Sequence, residues 1–433
     1  MFDWIKKALR PKQPAAGPYD QFVIELIEEF KRQGRVPKSY DHQARSFFFS
    51  AGDAGEMEVH LDNVFGSWVA RDPSGRAEVL SRFVRGIGAS SKNAAISPEK
   101  LPDELMPGIR SRVQISHTLL RSWIAGAPID DSAETAWLPF AGDLAACVLR
   151  DQSDTMSQMT HANLRFAKLP IEQAMQRAMT NFRARSPSPI FQSVGDGVFG
   201  CANLEDHQSA LLHLEPGRDY ALPAIDGAPI ALVPGRNVFY LTGSANMPGL
   251  ARLLDIAGNA HQTPNFCSSM LLRWSGERWS EFQFEPGSSN AGRQRDIALA
   301  QSATDYGFQK QLLDQYYQKH GMDIFVASLM LFRKKDAEAS LFSVTSLGSG
   351  TIGTLLPRAD RLSFVKQVFD PATGLAQQGA SDIADVAWSE AMEIVGDLFE
   401  PVPFLYPPRL RALGFPDADA WVRLKALNPS RRP

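Results

Sequence analysis

Ile230-Ala231-Leu232-Val233-Pro234-Gly235-Arg236-Asn237-Val238-Phe239-Tyr240-Leu241-Thr242 is the stretch on which the reading of the chain turns. Two runs of β-forming residues flank Pro-Gly-Arg-Asn, and Pro followed by Gly supplies the fixed φ and the permissive φ that a tight reversal needs. The segment predicts an antiparallel hairpin. Met270 to Trp274 and Trp279 to Phe284 repeat the pattern around Ser275-Gly276-Glu277, and a helix is expected between the hairpins from about Pro248 to Gly258. The fold class that follows is α+β: several small mixed α/β units with mainly antiparallel sheets flanked by helices.

Working outward, these hairpins belong to a central α/β domain over residues 108–286. Its other elements are a strand at Leu144 to Leu149, helices at 160–167 and Ile171 to Arg185, and a strand near Ile190 to Phe199. Pro170 stands in the first turn of the second helix. Residues 19–88 read as a small α-β-β-α domain. A helix carries the stripe Phe22, Val23, Leu26, Ile27 and Phe30, strands follow near Ser46 to Phe49 and Met57 to Leu61, and two more helices run to about Arg85. Residues 89–107, broken by Pro98, Pro102 and Pro107, read as a connector.

A C-terminal α+β domain takes 287–433. A long helix through Phe308, Leu312 and Tyr316 ends at Gly321, strands near Asp323 to Phe332, Ser340 to Leu347 and Arg361 to Val368 form an antiparallel sheet, and a helix spans Ile383 to Phe399. The Pro-rich tail from Pro401 is expected to wrap over a neighbouring domain in extended form. Residues 1–18 form a basic amphipathic turn and linker, in which Phe2, Ile5 and Leu9 offer weak peripheral membrane contact.

Composition narrows the function classes. The chain has 433 residues, 44% hydrophobic and 21% charged, which is the balance of a folded protein of more than one core. Lys and Arg number 45 against 48 Asp and Glu, so no global field gathers nucleic acid. No apolar run is long enough for stable membrane insertion. Cys147, Cys201 and Cys267 are scattered singly, the pattern of core-filling residues in a reducing, cytoplasmic compartment.

Local motifs supply little chemistry. Gly348-Ser349-Gly350-Thr351-Ile352-Gly353 is formally GxGxxG, but a dinucleotide fingerprint needs a helix directly after it, and Pro357 interrupts one. The segment is expected to be a turn between antiparallel strands. The eight histidines show no HxxxH or HxH pairing, and no GxSxG elbow occurs, so no cofactor, metal or catalytic residue is assigned. His207, with His213, Asp206 and Glu205 nearby, is the first place to look for an assembled site. Arg358 and Asp360 flank Ala359 after the stiffening Pro357, as a fixed ion pair or a ligand clamp. Phe48 lies between Phe47 and Phe49, and strand alternation sends it to the opposite face, as a covered residue or as a contact for a partner.

Leu61-Asp62-Asn63-Val64-Phe65, Glu78 to Val84, Gly142-Asp143-Leu144-Ala145, Ala231 to Asn237 and Leu241-Thr242-Gly243-Ser244 resemble, in order, the DUF1444 (YtpQ-like) group of uncharacterised bacterial proteins over roughly 19–285. The resemblance implies a bacterial cytoplasmic α/β protein and no catalytic residue. Two functions remain as expectations. One is a non-enzymatic accessory protein that presents Phe48 or the Tyr406 region to an unidentified protein partner. The other is an enzyme or small-ligand binder with a site between the central and C-terminal domains, where Asp143, Arg358, Asp360 and a histidine converge.

Overall fold

The computed structural model describes residues 17–42, 45–50, 56–69, 71–91, 96–152, 156–262, 265–334, 340–351, 353–369 and 376–427. The expected turn with Phe2, Ile5 and Leu9 lies outside the described residues. The fold is mixed α/β, with several antiparallel sheets flanked by helices.

The first unit is built by α1 (Pro18–Arg32), β1 (Ser39–Asp41), β2 (Ser46–Ser50), β3 (Glu56–His60), α2 (Asp62–Val69) and α3 (Pro73–Ser91). Phe22, Leu26 and Phe30 fall on one side of α1 because they recur at helical spacing, and they pack on Phe47 and Phe49. Phe48 points to the opposite face and is half-buried. The unexpected β1 pairs with β2, setting Tyr40 across from Phe47 and widening the sheet to three strands.

The central unit runs α4 (Leu101–Glu104), β4 (Leu105–Ser111), α5 (Arg112–Ile124), β5 (Trp137–Pro139), β6 (Leu144–Asp151), β7 (Met156–Gln158), α6 (His161–Phe166), α7 (Ile171–Arg185), β8 (Phe191–Gly195), β9 (Val198–Cys201), β10 (Pro229–Gly235), β11 (Val238–Gly243), α8 (Met247–Asn259), β12 (Leu271–Trp274) and β13 (Trp279–Glu281). Both expected hairpins form, within a six-stranded sheet ordered β13-β12-β10-β11-β9-β8. A second sheet is centred on β6, whose uninterrupted apolar run from Leu144 to Leu149 is buried on both faces. Strand β4 pairs with β6 from Leu105 to Ser111, so the last residues of the stretch read as a connector belong to this sheet. Pro107 is tolerated there because β4 is an edge strand.

The remainder comprises α9 (Ser289–Lys319), β14 (Met330–Arg333), β15 (Leu341–Gly348), β16 (Leu355–Pro357), β17 (Arg361–Phe369), β18 (Ala376–Ala387), α10 (Trp388–Val395), β19 (Phe399–Pro401), β20 (Arg409–Ala412) and α11 (Ala418–Ala426). Three expectations are corrected here. β15 and β17 pair in parallel, from Val344 with Arg361 to Gly348 with Val365, because the chain between them leaves to place β16 in a separate sheet with β20 and β19. The GxGxxG segment accordingly joins strands of two sheets, and the next regular element is a strand, not a helix. Ile383 to Ala387 is strand, not helix: Ala384 and Val386 face the core while Ile383 and Asp385 face outward, and pairing with β17 decides between two periods that these residues satisfy equally.

Helix α9 joins the units. Leu312, Leu313, Tyr316 and Tyr317 share one apolar cluster with Leu119, Leu120 and Trp123 of α5 and with Leu355 and Leu405 of the C-terminal region.

Candidate site on the seam between the central and C-terminal units

Gly142 adopts φ +52°, and a Cβ there would lie 2.4 Å from the Met270 thioether, so a larger residue would strain this turn at the head of β6 and displace Met270. The turn brings the Asp143 carbonyl to the first amide of α5, which donates from Arg112 at 2.8 Å. Ser268 donates its hydroxyl to Asp143 Oδ1 at 2.7 Å. The Arg112 guanidinium then lies over the Tyr406 ring, 4.0 Å from its centroid, and 5.1 Å from that of Trp137.

Tyr406 is held by the tail strap, residues 402–408. Its amide donates to Ser116 Oγ of α5 at 2.9 Å, and that hydroxyl donates to the Phe404 carbonyl at 3.3 Å. From the other side, α9 fixes the strap through Tyr306 Oη to the Pro408 carbonyl and Gln309 Nε2 to the Pro407 carbonyl, both at 2.8 Å. The tail thus lies across the central unit.

Burial pushes the Asp143 carboxyl up to about 6, against the pull of the Ser268 hydroxyl and the Arg112 charge. Asp305 of α9, which accepts from Gln301 at 2.8 Å, is pushed up to about 7 by burial, and the charge of Asp143 adds to the effect. His117 of α5 is 6% exposed, packs 5.0 Å from Phe308, and leaves Nε2 without a partner. Burial and the nearby Arg121 push it down to about 4, against a small opposing pull from the Asp305 backbone. Burial and the Asp143 charge push the Tyr406 phenol up to about 12. The seam therefore offers a permanent cation, a neutral phenol, a neutral imidazole and two carboxyls that titrate near neutrality.

Of the residues singled out from the sequence, Asp143 and Tyr406 meet at this seam, with Arg112 between them. Arg358 stands at its margin, where its amide donates to Tyr306 Oη at 3.2 Å while its side chain is exposed. Asp360 is consumed elsewhere. Its Oδ2 accepts from the Ser343 amide and hydroxyl at 2.8 and 2.9 Å, and its Oδ1 pairs with Arg295 of α9 at 3.2 Å. Arg358 and Asp360 do not pair with each other, since Asp360 turns back to β15 and α9. His207 lies 3.6 Å from Asp151 and packs near Phe182, apart from His213, whose Nε2 faces the Gly108 carbonyl at 3.3 Å. Among the described residues, no group of three or more His, Cys, Asp or Glu side chains is arranged to hold a metal.

Arg110, Arg112, His117 and Asp305 went unmarked in the sequence. The available signal was a pair of arginines set into the otherwise apolar run from Leu105 to Val113. No protein family, no curated protein and no solved structure matches the chain.

Proposed function

We propose that this protein binds a small charged ligand on the seam between its central and C-terminal units. The observation that carries the reading is the meeting of Arg112, Asp143 and Tyr406, drawn from distant parts of the chain, with Arg112 Nε left without a hydrogen-bond partner. An open guanidinium donor beside a carboxyl and a phenol is an arrangement that a charged ligand can complete. A cytoplasmic setting is supported by the three free, buried cysteines.

The test is a thermal-shift survey of the full chain against charged metabolites. A ligand at a hundred times its Kd adds about 2.7 kcal/mol to apparent stability. The gain should vanish in Arg112→Gln and in Tyr406→Ala. A survey in which no compound shifts the wild type overturns the reading.

Protein interaction is a second reading, favoured by β14. This edge strand exposes Met330 and Phe332, and Phe332 stacks on Phe342 of β15. A native pull-down that returns a stoichiometric partner from wild type but not from Phe332→Ser supports it, and recovery from both rejects this surface.

A further inference from the structure

Arg110 is the most anomalous charge in the fold. It is 4% exposed, its Nη1 donates only to the carbonyl of its neighbour Ile109 at 2.8 Å, and its Nε has no partner. Among the described residues no carboxylate lies within ion-pair distance of it. Burial leaves the Arg110 Nε donor without the hydrogen bond that water would give it.

The backbone is shaped to accept this charge. Gly108 precedes it on the same face of β4, and a Cβ there would lie 3.2 Å from Arg110 Nη1 and 2.7 Å from Leu149. Two residues on, Arg112 begins α5, and its Nε is likewise unpartnered. The two arginines belong to one locus. Gly108, against which the Arg110 guanidinium lies, pairs with Cys147, and Cys147 pairs with Trp137, whose ring centroid is 5.1 Å from the Arg112 guanidinium. The locus opens outward, because Arg112, Asp143 and Tyr406 are only half-buried and Gln114, which donates to the Phe266 carbonyl at 2.5 Å, is exposed.

We propose that Arg110 and Arg112 together receive an anionic group, a phosphate or a carboxylate, of the ligand that occupies the seam, an assignment that rests on the seam being a ligand site. Two guanidinium groups with open donors match either oxyanion through charge-assisted hydrogen bonds. Asp143 sets the other requirement. Ser268 occupies Oδ1, so Oδ2 is the oxygen that accepts from a hydroxyl or ammonium group of the same molecule. The ligand class is a small molecule with an oxyanion at one end and a hydrogen-bond donor a few bonds away.

Calorimetric titration of the full chain with inorganic phosphate and, separately, with succinate tests the assignment and tells the two oxyanions apart. At least one probe should bind, and Arg110→Met and Arg112→Met should each weaken it about tenfold or more. Asp143→Asn should strengthen binding of the bare anion, because it removes the repelling charge, and Arg358→Met, at the exposed margin, should leave it unchanged. Arg112 is half-buried, so its variant remains informative if Arg110→Met fails to fold. Binding of either anion that survives both arginine substitutions overturns the proposal, and so does binding of neither. If neither anion binds but a cationic metabolite does, with loss in Tyr406→Ala, the seam stands as a site and only the anion assignment falls. If no compound of any charge binds, both fall.

Discussion

Arg409 and Arg110 are both buried cations without a carboxylate partner, and they are bonded in opposite ways. Arg409, 1% exposed, donates Nε to Gln309 Oε1 at 2.6 Å, Nη1 to the carbonyls of Ala327 and Leu355 at 2.8 and 3.1 Å, and Nη2 to the Tyr306 carbonyl at 3.1 Å. Its guanidinium also lies 5.1 Å from the Tyr306 ring centroid. Burial lowers it to about 10, so it keeps its proton at any physiological pH. Four of its five N–H groups are answered, and it ties α9, β16, β20 and the Ala327 segment together. Arg110 has one bond, to its own neighbour. Burial by itself does not tell these two cations apart, whereas the number of donors left open does.

The contrast breaks most visibly at Arg409. Arg409→Met removes the guanidinium from three carbonyls and a side-chain amide, and urea unfolding should show a loss of about 3–5 kcal/mol. A loss below about 1 kcal/mol would mean the network does not hold the fold. Gln309→Leu removes one acceptor of Arg409 and the donor to the Pro407 carbonyl, and should cost at least about 1.5–3 kcal/mol, the range for a hydrogen bond to a charged group.

A pH series sharpens the comparison around Arg110. Asp143 and Asp305 are raised in the fold to about 6 and about 7, so the folded state binds more protons than the unfolded one and stability falls as pH rises from about 4 to those values. His117 and His213 are lowered to about 4, the first by burial and Arg121 and the second by burial, so they act in the opposite sense, with stability rising from about pH 4 to 6.5. The two trends offset each other in the wild type. The double variant Asp143→Asn, Asp305→Asn should expose the histidine slope, at most about 1.4 kcal/mol per pH unit for each group. An unchanged pH profile in that variant would show that the seam carboxyls titrate normally. The smallest effect is expected for Arg110→Met without ligand: unfolding should show stability unchanged or raised by about 1 kcal/mol, since an unanswered charge is removed. A loss as large as that of Arg409→Met would place Arg110 among the structural cations.

Much of the fold was legible along the chain, for reasons that the seam does not share. Helix α7 over Ile171–Arg185 and the hairpin of β10 and β11 are set by local signals, a proline in the first turn and a Pro-Gly reversal. The strand character of Ile383 to Ala387 was not legible, because Ile383, Val386 and Ala387 fit a helical stripe while Ala384 and Val386 fit an alternating one, and only the partner strand decides. Strand β4 was hidden by Pro107, whose tolerance depends on an edge position that cannot be read locally. The seam was half legible. Asp143 and Tyr406 stood out one at a time, but what makes them a site is the cation between them and the open donors beside it, and those are properties of contacts between remote segments. Arg358 and Asp360 looked like a unit because they are neighbours in sequence, yet Asp360 turns back to β15 and α9.

Ser116 and Tyr406, which close the strap onto α5, are 290 residues apart. A ribosome adding about 5–20 residues per second takes on the order of tens of seconds to make that span. Helix α5 therefore waits half-dressed through most of the protein's synthesis, and the period of greatest aggregation hazard comes before the segment that ends it has been translated.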